Sequence, residues 1–245
     1  MRLWKSWLLA KKDMSVLRRK KTLIAGLIAL PLIIGIGLPS LVEYLLIRKS
    51  HQVANPANLL GAFGFFFVIF SVFLPLYISS YSLVGEKVEK SIEPLLSTPT
   101  TDEEILVGKY IGAFIPAILP IYLGTFVFMT LSDLFTRAKF GYLFFPNLSF
   151  AIIQIIAIPL ACIYAISFSV FISGKVNSVQ GAYNMGALSV APFIILYVLG
   201  EIGIISLNND TNVLIISAIL LIMATFMFLV SKATFHREEV LTNWK

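Results

Sequence analysis

The chain is 245 residues long, 58% hydrophobic and only 13% charged, with a mean hydropathy of +0.89. A soluble domain carries about 25% charged residues, so the composition excludes a soluble enzyme or binding module and points to a protein that crosses a membrane several times. The net charge of +6 comes from the flanks of apolar runs, which speaks for membrane orientation and against a nucleic-acid partner.

Residues 1–21 hold eight basic residues, Arg2, Lys5, Lys11, Lys12, Arg18, Arg19, Lys20 and Lys21, interleaved with Trp4, Trp7, Leu8, Met14 and Leu17. This pattern predicts an amphipathic interfacial helix with aromatic anchors, suited to an anionic leaflet. The alternative is a basic flank with no fixed structure. No cleaved signal peptide is expected, because the next apolar run is too long for an h-region and no small-x-small site follows it closely.

Six uncharged runs follow, at about Thr22–Val42, Leu59–Val84, Tyr110–Ser132, Leu148–Ser173, Val179–Leu199 and Thr211–Ser231. Each exceeds the roughly 18 residues expected of a membrane helix. The fold class is therefore an all-α integral membrane protein with six spans, expected as one domain over residues 1–245. Most spans carry proline: Pro31, Pro39, Pro75, Pro116, Pro120, Pro159 and Pro192. Neighbouring helices satisfy the carbonyls that proline frees, so ordinary kinks and moving hinges are both open. Cys162, alone of its kind, rules out an internal disulfide and lies in an apolar run as a structural residue.

Six spans put both termini on one side. That side, with loops 85–109 and 174–178, holds fifteen basic residues, against Arg48, Lys49, Arg137 and Lys139 opposite. The positive-inside rule predicts cytoplasmic termini in a multi-pass cell-membrane protein. The outer loops are short. Asn55-Pro-Ala-Asn58 reads as a turn with Asn58 as a helix cap, and Glu201 as a structural interfacial carboxylate.

The longest polar insert lies between spans two and three. Residues 84–109 carry Glu86, Glu89, Glu93, Asp102, Glu103 and Glu104, six of the 13 acids. Continued as helix, Glu86, Glu89 and Glu93 share one side, and Val88, Ile92 and Leu95 another. Pro94 stops or kinks that helix, a short piece spans 94–97, and Thr98-Pro99 breaks the chain again. Thr101 and Glu104 form a capping box for the next helix, whose first turn is acidic. Ile92, Leu95 and Leu96 are apolar residues a plain connector has no use for, so the insert reads as a docking surface.

Gly85-Glu-Lys-Val-Glu-Lys-Ser-Ile-Glu-Pro-Leu-Leu-Ser-Thr-Pro99 followed by Glu104-Ile-Leu-Val-Gly-Lys109 resembles the cytosolic segment of ABC-2-type transporter permeases. That family shows a Gly-Glu-basic start, a Leu-Leu-x-x-Pro centre and a Gly-Lys entering the third span. This sequence departs at Ser91, where Gly then Thr is common, and at Pro94. The resemblance implies that residues 85–105 are a coupling segment. It implies that Glu86, Glu89, Ile92, Glu93, Leu95, Leu96 and Pro99 meet a separate ABC ATPase subunit, and that a second permease copy or paralogue completes the transporter. It further implies a re-entrant hairpin between spans five and six, which here has to fit within about Leu196–Asn208, with span five shortened to make room.

The chain itself carries no catalytic constellation. No P-loop occurs, since Gly108-Lys109 and Gly174-Lys175 lack the earlier glycine and the following hydroxyl. Any ATP is expected on the partner, with no cofactor here. His51 and His236 lie in opposite flanks without a His/Glu cluster, and uncharged spans argue against proton- or sodium-coupled transport. Phe63, Phe66, Phe67, Phe70, Phe73 and Tyr77 form a stripe that fits either helix packing or a lipophilic groove. Gln154, Asn177, Gln180 and Asn184 fit interhelical bonds as well as a route. The reading is a permease subunit of an ATP-driven exporter that also contacts membrane lipids. A membrane scaffold and a passive channel, each using residues 85–100 to hold a partner, stay open.

Overall fold

The computed structural model describes residues 2–48, 56–88, 100–141, 143–176 and 178–235. Among these, every regular element is helical. Helix α1 spans Leu3–Arg19, α2 Lys21–Arg48, α3 Pro56–Val88 and α4 Asp102–Phe140. Helices α5 (Leu148–Ile152) and α6 (Ile158–Ser173) are joined by a π turn over Ile153–Ala157. Helices α7 (Val179–Ala187) and α8 (Ala191–Glu201) are joined by a 3₁₀ turn over Leu188–Val190, and α9 spans Asp210–Thr234. Six of the resulting segments are long and apolar enough to cross a membrane: Lys21–Tyr44, Leu59–Glu86, Asp102–Arg137, Leu148–Ser173, Val179–Gly200 and Asp210–Thr234. The expected spans are all present, and the third extends beyond its predicted ends.

Both irregular turns precede a proline. Pro159 and Pro192 lack the N–H that the carbonyl four residues back would accept, so the backbone loosens there into π or 3₁₀ geometry. A polar group left in an apolar interior needs a partner. Within the π turn, the Gln154 carbonyl accepts the Tyr122 hydroxyl of α4 at 2.9 Å.

Helix α3 is the hub. In its most apolar window 83% of residues are buried, against 22% for α2 at the edge of the bundle. Helix α3 packs on α4, α6, α7 and α8, and α9 packs on α6. The aromatic stripe is part of this packing. Phe67 meets Phe128 at 5.5 Å, Phe66 meets Tyr197 at 5.1 Å, and Phe73 and Tyr77 both meet Tyr183. Edge-on aromatic pairs of this kind stabilise by about 0.5–1.5 kcal/mol each beyond area burial. The stripe thus takes part in packing against neighbouring helices. Helix α2 holds α4 by backbone contact, since a Cβ on Gly124 would lie 2.6 Å from the Pro31 carbonyl oxygen. Only glycine permits that approach.

The far end of the bundle is closed by polar bonds. Asp133 accepts from the Phe144 and Phe145 amides, and Asn147 donates to Asn208 at 3.0 Å. Ser149 donates to the Asn208 carbonyl and to Asp210. Two expectations are corrected here. Helix α3 begins at Pro56, so Asn58 is inside the helix and not its cap, because proline suits the first helical position. Between α8 and α9 there is no re-entrant hairpin. Helix α8 runs to Glu201 and ends in a Schellman turn, with Gly203 left-handed (φ 82°), its N–H on the Gly200 carbonyl and that of Ile204 on Leu199. The eight residues before Asp210 are too few for two helical arms that enter and return. The side chain of Glu201 lies outside the described residues, as do His51, Asn55, Asn177 and His236.

Candidate functional site

The polar insert leaves α3 and returns through α4, and its base is well described. Thr101 caps α4 as expected. Its side chain accepts from the Glu104 amide, and the Glu104 carboxylate accepts from the Thr101 amide, each at 3.2 Å. Asp102, Glu103 and Glu104 fill the first turn, where carboxylates oppose the positive helix end. The other oxygen of Glu104 accepts from the Arg2 amide at 2.7 Å. One side chain thereby completes the start of two helices, α4 and α1.

From that point α1 lies along α4. The buried residues Ser6, Leu9, Ala10 and Leu17 form its inner face. Ser6, Leu9 and Ala10 meet Gly108 and Gly112, a Gly-x-x-x-Gly pair one helical turn apart. A Cβ on Gly108 would come within 2.8 Å of Leu9 Cβ and 2.9 Å of the Ser6 carbonyl oxygen. Small residues at both contact rows bring the two backbones close. The N-terminal segment is therefore a docked helix, while Leu3, Trp4, Trp7 and Leu8 remain exposed on its outer side. That leaves the expected aromatic anchors free to meet lipid.

Charge closes the base. Lys109, on the turn of α4 between the two glycines, is only 2% exposed. Its ammonium lies 2.6 Å from Glu86 of α3 and 3.0 Å from Asp13 of α1, and donates to Ser82 at 3.0 Å. Ser82 in turn donates to Asp13 at 2.7 Å. Lys12 takes the second oxygen of Glu86 at 3.0 Å. Two lysines and two acids from three helices thus form a compact, nearly neutral cluster. A second, exposed ion pair joins Glu103 to Lys232 of α9 at 2.9 Å, so the end of the chain's last described helix lies at the same end of the bundle.

Glu86, predicted among the partner-facing acids, has both carboxylate oxygens engaged within the chain. The remaining predicted site residues, Glu89, Ile92, Glu93, Leu95, Leu96 and Pro99, lie outside the described residues, as does the proposed short piece over 94–97. Helix α3 does continue through Gly85 to Val88, as the spacing predicted. Sequence reasoning missed Asp13 and Lys109. A signal existed: Asp13 is the sole acid among the eight basic residues of the first 21. It also falls on the inner stripe of Ser6, Leu9, Ala10 and Leu17, opposite the outward-facing tryptophans.

Among the described residues no group of three or more His, Cys, Asp or Glu could hold a metal ion. Cys162 is fully buried in the core and carries no disulfide. Gln180 and Asn184 bond each other at 3.3 Å. The cluster at the insert's base joins charged groups of α1, α3 and α4. Its geometry serves to tie three helices together where a polar segment leaves the bundle. A family model described as "ABC-2 family transporter protein" matches residues 7–235. No curated protein matches the chain.

Proposed function

The chain belongs to the ABC-2 transporter family as a multi-pass permease subunit of an ABC transporter, and from that premise we propose that residues 85–105 couple it to a separate ABC ATPase and that it works as an exporter. The observation that carries the reading is the clasp at the base of the insert. Glu86 and Lys109 flank the insert and meet at 2.6 Å, so a load on the insert reaches α3, α4 and α1 together. Buried ion pairs hold geometry well because separating them leaves a desolvated charge.

In this reading Ile92, Leu95 and Leu96 enter a groove on the ATPase, and Pro99 ends the docking piece. Burying one leucine contributes about 1.5–3 kcal/mol, so two or three anchor a partner. Glu89 and Glu93 pair with basic residues at the groove's rim and tune encounter and salt dependence. Glu86 serves the clasp. ATP sits on the ATPase, and this chain holds no cofactor. A second permease, a copy or a paralogue, completes the route, and residues 1–245 act as one transmembrane domain. The charge asymmetry supports cytoplasmic termini in the cell membrane.

The test is purification from source membranes in mild detergent, followed by reconstitution into vesicles. The expected result is a stoichiometric P-loop subunit whose ATP hydrolysis depends on this chain. Absence of such a subunit favours a scaffold, and ATP-independent leakage from the vesicles favours a passive channel.

A further inference from the structure

The helix that carries the insert back into the bundle makes two separate sets of contacts at one place. Adjacent residues of an α-helix point about 100° apart, so Lys109 and Tyr110 of α4 meet different neighbours. Lys109 faces the clasp, with Asp13 of α1 at 3.0 Å and Glu86 of α3 at 2.6 Å. Tyr110 faces α6 and α9. Its hydroxyl donates to Ser167 of α6 at 2.7 Å and lies 2.8 Å from the Ser231 hydroxyl of α9. Its ring meets Phe228 of α9 edge-on at 5.5 Å.

Helix α3 repeats the arrangement. Ser82 donates into the clasp at Asp13, while Ser80, two residues earlier, pairs with Ser169 of α6 at 3.1 Å. A layer of hydroxyls thus lies one step deeper into the bundle than the clasp, and its four serines are buried. Hydroxyls in an apolar interior keep their partners because no water replaces them. Both layers are rooted on α3 and α4, the two helices that flank the insert. The link to α9 is made by side chains. The backbones of α4 and α9 hardly approach each other, and Tyr110 spans the gap together with the exposed Glu103–Lys232 pair.

We propose that Tyr110 is a positioning residue that passes the state of the clasp to the fourth and sixth spans. A shift of α4 at Lys109 moves Tyr110 with it, since both belong to one turn of a helix. The tyrosine hydroxyl then draws Ser167 and Ser231 along or leaves them. With the clasp shut, the hydroxyl has both partners and holds α6 and α9 against α4. With the clasp disturbed, the end of α9 loses that hold. Coupling over such distances is carried by rigid elements joined through hydrogen bonds and packed side chains. The role in transport rests on the coupling reading: a load on the insert reaches the fourth and sixth spans as well as the second and third. The linkage itself needs no ATPase, so its failure and the failure of that reading are seen in different experiments.

The test is hydrogen–deuterium exchange of the full chain in phosphatidylcholine nanodiscs, read by mass spectrometry on the amides of residues 228–234. Asp13→Ala leaves Lys109 with one carboxylate instead of two, and acts from α1, which packs on α4 and α2. It is expected to speed exchange at 228–234 about threefold, the equivalent of one lost interhelical hydrogen bond. Tyr110→Phe keeps the ring against Phe228 and removes only the hydroxyl, and is expected to have the same effect. The combined variant is expected to exchange no faster than the faster of the two, because both changes break one link. Residues 148–152, at the opposite end of the bundle, are expected to exchange as in wild type throughout. A tyrosine that only staples α9 gives another pattern: Asp13→Ala leaves 228–234 at the wild-type rate, or the two effects multiply to about ninefold, as independent sites do. Either result overturns the proposal, and so does an equal rise at 148–152, which reports a general loosening. Should Tyr110→Phe not elute from gel filtration as wild type does, Ser231→Ala breaks the same link from α9 and decides by the same criteria, with its intrinsic exchange rates allowed for.

Discussion

At the residue scale, Lys109 faces two carboxylates in a site almost closed to water, and two outcomes of its loss can be told apart. Lys109→Met leaves Asp13 and Glu86 buried without their shared partner, which costs about 3–5 kcal/mol for a broken buried pair. Replacing all three, Asp13→Asn, Glu86→Gln and Lys109→Met, removes the stranded charges and is expected to recover most of that stability. Thermal unfolding of both variants in detergent checks it; a triple variant as unstable as the single one contradicts the clasp. None of this was legible from the polar insert alone. Glu86 looked like a free rim carboxylate because its partners are 23 residues downstream and 74 upstream. Periodicity reports which side of a helix a residue is on, but not which distant helix covers that side.

At the element scale, the contact between α1 and α4 rests on Gly108 and Gly112. Gly108→Leu drives a side chain into Leu9 and the Ser6 backbone, so α1 is expected to detach and trypsin to cut at Lys11 and Lys12 several-fold faster. Gly37→Leu is the control, since a Cβ there meets nothing within 4 Å. An unchanged cleavage rate in Gly108→Leu means that α1 is not held by this face. Helix existence was readable from 18-residue apolar windows, and the start of α4 from the Thr101 and Glu104 spacing. The π turn before Pro159 was not. Proline predicted a disturbance, but not whether it would be a kink or a π turn. The hairpin expected between the last two spans failed for a local reason: Gly203 permits a tight left-handed stop where the resemblance implied two more helical arms.

At the scale of the whole molecule, six spans bring α1, the base of the insert and Lys232 to one end of the bundle, and the Asn147–Asn208 bond to the other. Which end meets the cytosol was read from the basic residues, and it is testable. In a Cys162→Ala background, Ile204→Cys is expected to react with an impermeant thiol reagent on intact cells and Glu103→Cys only after lysis. Both positions are exposed, so a reversed pattern inverts the topology. The docking residues themselves were legible only as apolar side chains in a polar insert at the position the family resemblance marks. Their role is therefore the point at which the account is most open to disproof. The most direct measurement compares wild type with Leu95→Asp and Leu96→Asp combined, in a strain that makes the ATPase at normal levels. The double variant is expected to insert normally, to lose co-purification of the ATPase, and to lose its stimulation of ATP hydrolysis. A double variant that binds and stimulates the ATPase as wild type does would show that the insert is a connector and that coupling lies elsewhere.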